Sequence, residues 1–261
     1  MQVIKELQSG KTDIPLSEEE RNIRKQLASC YQLFDYLGWA ESIFNHISMR
    51  IPGPERHFLI NPFGKNYSEV CSSNLVKVDI NGDLVGESSS KINQAGFIIH
   101  GAIHEARDDA HCVIHTHTTA GSAVSIKSSG LKYNNFYGAM LSGSIAYHDF
   151  EGIVLNPDER SRIVADFGEK QILILRNHGL LVVGKSIPQA FHLMWSLQRA
   201  CEIQCQADAM DGDDIEVSED IYSQCAQFLN DPGKEISTLV FDAAVRRMLE
   251  DKNRQFVDYR D

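Results

Sequence analysis

The chain has 261 residues, of which 43% are hydrophobic and 23% charged, and a formal net charge of -11. Such a length and composition fit one large domain able to bury a real core. The acidic balance excludes a nucleic-acid partner, whose phosphates need clustered Lys and Arg, and no apolar run approaches the roughly 20 residues that cross a bilayer.

Residues 1–16 are polar and aperiodic, and are expected to form a flexible arm. Their scattered charges and missing apolar centre exclude a signal peptide. Ser17-Glu18-Glu19-Glu20 reads as a capping box opening a helix through Ile23, Leu27, Tyr31, Phe34 and Leu37, which stops near Gly38. Glu41 to Arg50 passes from loop into an alternating strand. Pro52-Gly53-Pro54 turns it, and His57-Phe58-Leu59-Ile60 returns it before the loop Asn61-Pro62-Phe63-Gly64. Val76 to Ile80 and Asp83 to Val85, joined by Asn81-Gly82, spell a hairpin. A helix from about Asn93 to Arg107 carries His100 and His104 on one face. Gly101 stands where the helical zinc-protease motif needs Glu, so these two histidines are expected to fill a helix-to-sheet contact.

Cys112-Val113-Ile114 reads as a buried strand running into His115-Thr116-His117, with a helix from Ala120 to Ser128 behind it. Ser144 to His148 is a strand, and Asn156-Pro157-Asp158-Glu159 opens a helix. The run Gln171 to Leu175 leads to Arg176-Asn177-His178-Gly179, and Leu180 to Gly184 continues the sheet. Ser186-Ile187-Pro188 caps a long helix to about Met210. The acidic stretch 211–214 is a solvated loop, and helices over about 218–229 and 235–252 precede the tail. Six cysteines without a paired motif read as reduced, buried thiols of a cytoplasmic protein. Short strands with helices before, between and after them predict one α/β domain of three layers over 17–210, followed by a helical extension over 211–261.

In an extended segment, residues two apart share a face, so His115 and His117 can converge on one ion. His178 follows a second apolar run, and three imidazoles from two strand ends leave a divalent metal an open position. By spacing alone, half-buried hydrogen-bonded histidines are the commoner reading of this pattern.

Five segments then carry a resemblance: Phe44-Asn45-His46-Ile47-Ser48, Asn61-Pro62-Phe63-Gly64, Ile92-Asn93-Gln94-Ala95-Gly96-Phe97, His115-Thr116-His117 and Arg176-Asn177-His178-Gly179-Leu180. In order and rough spacing, over about residues 18–210, the chain resembles the class II aldolase/adducin family. The resemblance implies a three-layer α/β/α domain with a central, mainly antiparallel sheet. It also implies a metal held by His115, His117 and His178, zinc before manganese or iron, and a homotetramer with sites between subunits. Family aldolases place a catalytic glutamate nineteen residues before the first metal histidine, where this chain has Gly96. Their phosphate cradle matches Gln94-Ala95, Phe63-Gly64 and Phe44-Asn45, where most hydroxyls are gone. A phosphate needs several donors to offset its desolvation, so a phosphorylated sugar is not the expected substrate.

Asn45, Phe63, Gly64 and Gln94 are thus candidate substrate contacts. Tyr137 and Tyr259 resemble by location two tyrosines that serve family aldolases as proton donors. The expected activity is a metal-dependent lyase, by retro-aldol cleavage or decarboxylation, on a small non-phosphorylated oxo or hydroxy acid of apolar or aromatic character. Two alternatives are carried. One is a non-catalytic adducin-like assembly module, and the other a non-haem iron oxygenase of an aromatic 2-oxo acid.

Overall fold

The computed structural model describes residues 16–86, 88, 90–152, 158–230, 234–254 and 256–261. In chain order the elements are α1 (Glu18–Tyr36), β1 (His46–Arg50), β2 (Phe58–Ile60), β3 (Val76–Val78), α2 (Gln94–Ala106), β4 (Cys112–Thr116), α3 (Thr119–Ile126), α4 (Phe136–Met140) and β5 (Ile145–His148). They continue with α5 (Glu159–Phe167), β6 (Ile172–Leu175), β7 (Gly179–Gly184), α6 (Ile187–Ala207), α7 (Glu219–Asn230) and α8 (Lys234–Glu250). The seven strands form one sheet in the order β3-β2-β1-β4-β7-β6-β5. Every neighbouring pair is antiparallel except β5 with β6.

Alternation sorts the strand side chains between two helical layers. Ile47 of β1, Cys112 and Ile114 of β4 and Leu180 and Val182 of β7 pack with α1, α6 and α8 into the main core, which also takes Phe241 and Met248. Val113, Leu181 and Val183 face the other way, against Ile99 and Ile103 of α2 and Ile163 and Phe167 of α5. A smaller cluster seats Phe97 of α2 on Phe58, Ile60, Val76 and Val78 at the sheet edge. The architecture is the expected three-layer α/β/α domain with a mainly antiparallel sheet. Among the described residues, no helix is long and apolar enough to cross a membrane.

Several local expectations change. Ser17 caps α1 by accepting from the Glu20 N–H at 3.0 Å, but the Glu20 carboxylate does not complete the box. It is buried between Arg24 and Lys77, at 2.9 and 2.8 Å, where two cations offset its desolvation. The hairpin after β3 shrinks to a single bridge, Val78 to Leu84, because the Asp79 carboxylate takes the Asn81 and Asp83 N–H groups into a side-chain-closed turn. Cys30, Cys112 and Cys201 are buried free thiols, whereas Cys71, Cys205 and Cys225 are only half-buried. The arm over 1–15 and the helix-opening pair Asn156-Pro157 lie outside the described residues.

Candidate metal centre

β4 and the β6–β7 turn build the centre. Cross-strand partners directly opposite each other share a face, and β4 pairs His115 with Leu181 and Thr116 with Leu180 of β7. β6 and β7 are joined by Arg176-Asn177-His178, a tight turn in which Asn177 takes a left-handed φ of 57°. His178 therefore comes from a hairpin turn and not from a strand end. Gly179 is required behind it, since a Cβ there would lie 2.3 Å from the Thr116 carbonyl oxygen and 3.0 Å from the His117 ring.

Three Nε2 atoms converge: His115 to His117 at 2.7 Å, His117 to His178 at 2.9 Å and His115 to His178 at 3.3 Å. Hydrogen bonds cannot satisfy this triangle. His115 Nδ1 lies 2.9 Å from the Leu180 carbonyl oxygen and so carries the ring proton, which leaves Nε2 as a lone pair. If His117 and His178 both carried protons on Nε2, those protons would confront each other at 2.9 Å. If neither did, three lone pairs would converge with nothing between them, and if only one did, the two remaining lone pairs would still face each other, at 3.3 Å with the proton on His117 or 2.7 Å with it on His178. A single divalent cation resolves the conflict, and the Leu180 contact is the outer support that fixes a ligating imidazole in its tautomer. The residues present fit a metal. Burial also keeps the rings neutral, as ligation requires: it holds His115 well below the usual histidine range and lowers His117. Burial, with His117 adding to it, takes His178 down to about 4.

His46 joins the site without any clear signal in the sequence. β1 pairs it directly with His115, and their ring centroids lie 5.1 Å apart. It fills the space that a side chain at Gly96 would take, because a Cβ there would lie 2.3 Å from His46 Cδ2 and 2.4 Å from its Nε2. Behind it, His100 and His104 of α2 are buried against Ser48 of β1, as the helix-to-sheet reading expects. Two more residues border the triad. The Phe150 ring, 54% exposed, meets His178 edge-on at 6.4 Å, and the charge of Glu41 opposes the lowering of His117. Only the strand register and the fold of the loops bring His46, Phe150 and Glu41 here, and neither is written in local periodicity.

The other candidate residues are dispersed. Asn45 is buried and donates to the Trp39 carbonyl at 2.9 Å, while its Oδ1 is buried without a hydrogen-bond partner among the described residues. Phe63 is 43% exposed on its loop, followed by Gly64 at φ 96° with open space around it. Gln94 starts α2, and its side chain lies outside the described residues. Tyr137 is half-buried in α4 against the core with Phe136 beside it. Tyr259 packs on the core near the chain end, its carbonyl accepting from the Ser72 N–H at 2.9 Å. Neither tyrosine hydroxyl is hydrogen-bonded to the triad.

Comparison with known proteins bears on what this arrangement belongs to. The "Class II Aldolase and Adducin N-terminal domain" family model matches residues 25–205. Alpha-adducin of Rattus norvegicus is 45% identical over 206 residues, which is 78% of this chain but only 28% of that protein. The crystal structure of an aldolase II superfamily protein from Pseudomonas syringae superposes with a TM-score of 0.86 at 40% identity, covering 94% of this chain and 98% of that one. L-fuculose 1-phosphate aldolase from Glaciozyma antarctica PI12 superposes with a TM-score of 0.80 at 26% identity, covering 93% and 96% of the two chains. The chain belongs to the class II aldolase and adducin N-terminal domain family.

Proposed function

We propose that the protein is a metal-dependent carbon–carbon lyase of the class II aldolase type, acting on a small, non-phosphorylated oxo or hydroxy acid. The observation that carries this reading is the Nε2 triangle of His115, His117 and His178, whose contacts of 2.7 to 3.3 Å call for a cation. A bound zinc, or manganese or iron in its place, would act as a Lewis acid on a substrate oxygen. His115, His117 and His178 would hold it, and the Leu180 carbonyl would keep His115 in the ligating tautomer. Phe150, and Phe63 on its exposed loop, offer apolar surface to an aromatic acid. Against a phosphate, one of the two Asn45 amide N–H groups is already given to the Trp39 carbonyl. Tyr137 and Tyr259 are proposed proton donors only in an assembled homotetramer, where a neighbouring subunit would bring them to the triad.

Two observations favour a second reading, an adducin-like assembly module without chemistry: Gly96 leaves no carboxylate at that position, and rat alpha-adducin is 45% identical over the matched segment. A metal assay separates the two. Protein purified without chelator should hold one divalent ion per chain, and His115→Ala should lose it while keeping the parent circular dichroism. Folded parent protein that takes up no zinc, manganese or iron would leave the assembly reading.

A further inference from the structure

A second set of histidines meets the triad at His46, and its hydrogen bonds can be assigned in one direction only. His104 Nδ1 lies 2.8 Å from the Ala110 carbonyl oxygen, which only accepts, so that nitrogen carries the proton. The neutral ring then presents Nε2 as a lone pair, to which Ser48 Oγ donates at 2.7 Å. A hydroxyl has one proton, so Ser48 Oγ must accept from His100 Nδ1 at 2.6 Å. His100 Nε2 is then a lone pair, and His46 Nδ1 donates to it at 2.8 Å. Reversing the chain would set two acceptors, His104 Nδ1 and the Ala110 oxygen, face to face. Burial keeps the two helix rings neutral, pushing His104 down to about 3 and His100 well below its usual range.

The end of this chain is His46 Nε2, left as a lone pair. It makes no hydrogen bond among the described residues and is not one of the sealed, partnerless polar atoms of the interior, although the residue is only 4% exposed. Its ring lies beside His115 and in the side-chain space of position 96. A lone pair so placed takes a partner that can donate, and a carbonyl or carboxylate oxygen cannot.

We propose that His46 is a specificity-determining residue of the triad site, an imidazole locked as a hydrogen-bond acceptor at Nε2. The site then favours a ligand that brings a hydroxyl to that atom over one that brings a carbonyl oxygen. The ligand class is accordingly a 2-hydroxy acid and not its 2-oxo counterpart. That preference rests on the metal-site reading, whereas the locked tautomer does not.

Neutron diffraction on the full-length protein tests the lock directly. Deuterons should sit on Nδ1 of His46, His100 and His104, and a deuteron on His46 Nε2 overturns the proposal. Calorimetric titration of the zinc-loaded protein with mandelate and phenylglyoxylate, the same skeleton as hydroxy and oxo acid, tests the preference. Mandelate should bind roughly tenfold tighter, about the worth of one hydrogen bond. His46→Leu should erase that ratio with zinc stoichiometry unchanged. Ser48→Ala, which keeps the imidazole but cuts the relay, should reduce it. An unchanged ratio in a zinc-replete His46→Leu protein, or a zinc ligated by His46 itself, overturns the preference. Failure to take up zinc would remove the metal reading alone, and the neutron map would still decide the state of His46.

Discussion

Gly96 and His46 are two halves of one steric fact. A methyl group at 96 would sit 2.3 to 2.4 Å from the His46 ring, and that ring cannot swing aside without breaking its hydrogen bond to His100. Gly96→Ala should therefore destabilise the fold by about 1–3 kcal/mol, the usual cost of overpacking. His46→Ala in the same chain should recover part of that loss. Urea denaturation of the four proteins gives the coupling, and strictly additive effects would contradict it. The glycine is legible from the sequence as a departure from the aldolase pattern. Its reason is not, because the ring that requires it lies fifty residues away on another element. His104 makes the stability of the fold depend on pH. Its usual value is 6.5 and the folded protein holds it near 3, so below about pH 6.5 the unfolded chain binds more protons than the folded one. Stability is full above that pH and lost as pH falls toward 3. The loss is about 1.4 kcal/mol per pH unit for each such group well below its unfolded pKa, and His100 shifts in the same direction. Urea midpoints of metal-free protein measured from about pH 7 to 4.5 should fall steadily, and a flat profile would count against the buried neutral rings.

At the scale of elements, one phenol ties three segments together. Tyr31 of α1 is fully buried, donates to the Ile47 carbonyl, and accepts N–H groups from Ile47 at 2.9 Å and Asn61 at 3.0 Å. It thereby fixes β1, which carries His46 and Ser48, relative to the loop bearing Phe63. Tyr31→Phe would strand two buried N–H groups and should cost about 1–3 kcal/mol of stability, read from the denaturant midpoint. A variant as stable as the parent would show that water repairs the gap. Periodicity identifies α1 and places Tyr31 on its buried stripe, and it also gives α2, β4 and the long α6. It does not reveal where buried carboxylates go. Glu20 looks like a capping residue locally, and only the arrival of Lys77 from β3 turns it inward. His178 is likewise legible as a residue after an apolar run, but the left-handed Asn177 that aims it is a property of the closed β6–β7 turn.

For the whole molecule, a bound metal should act on stability through mass action. A cation that binds the folded triad and not the unfolded chain raises apparent stability by an amount that grows with its free concentration. Adding zinc to metal-free protein should therefore raise the thermal midpoint progressively, with no rise in His115→Ala. The surface adds a second requirement. Phe136, Ile126, Ile221 and Leu239 are apolar and between 50% and 72% exposed, on α3, α4 and the two C-terminal helices. Phe136 adjoins Tyr137, the proposed proton donor, so covering Phe136 in an assembly would also settle where that hydroxyl points. Light scattering coupled to gel filtration should give a mass four times that of one chain, and Phe136→Asp should reduce it with the parent circular dichroism retained. A monodisperse monomer would remove the subunit-borne tyrosines from the mechanism.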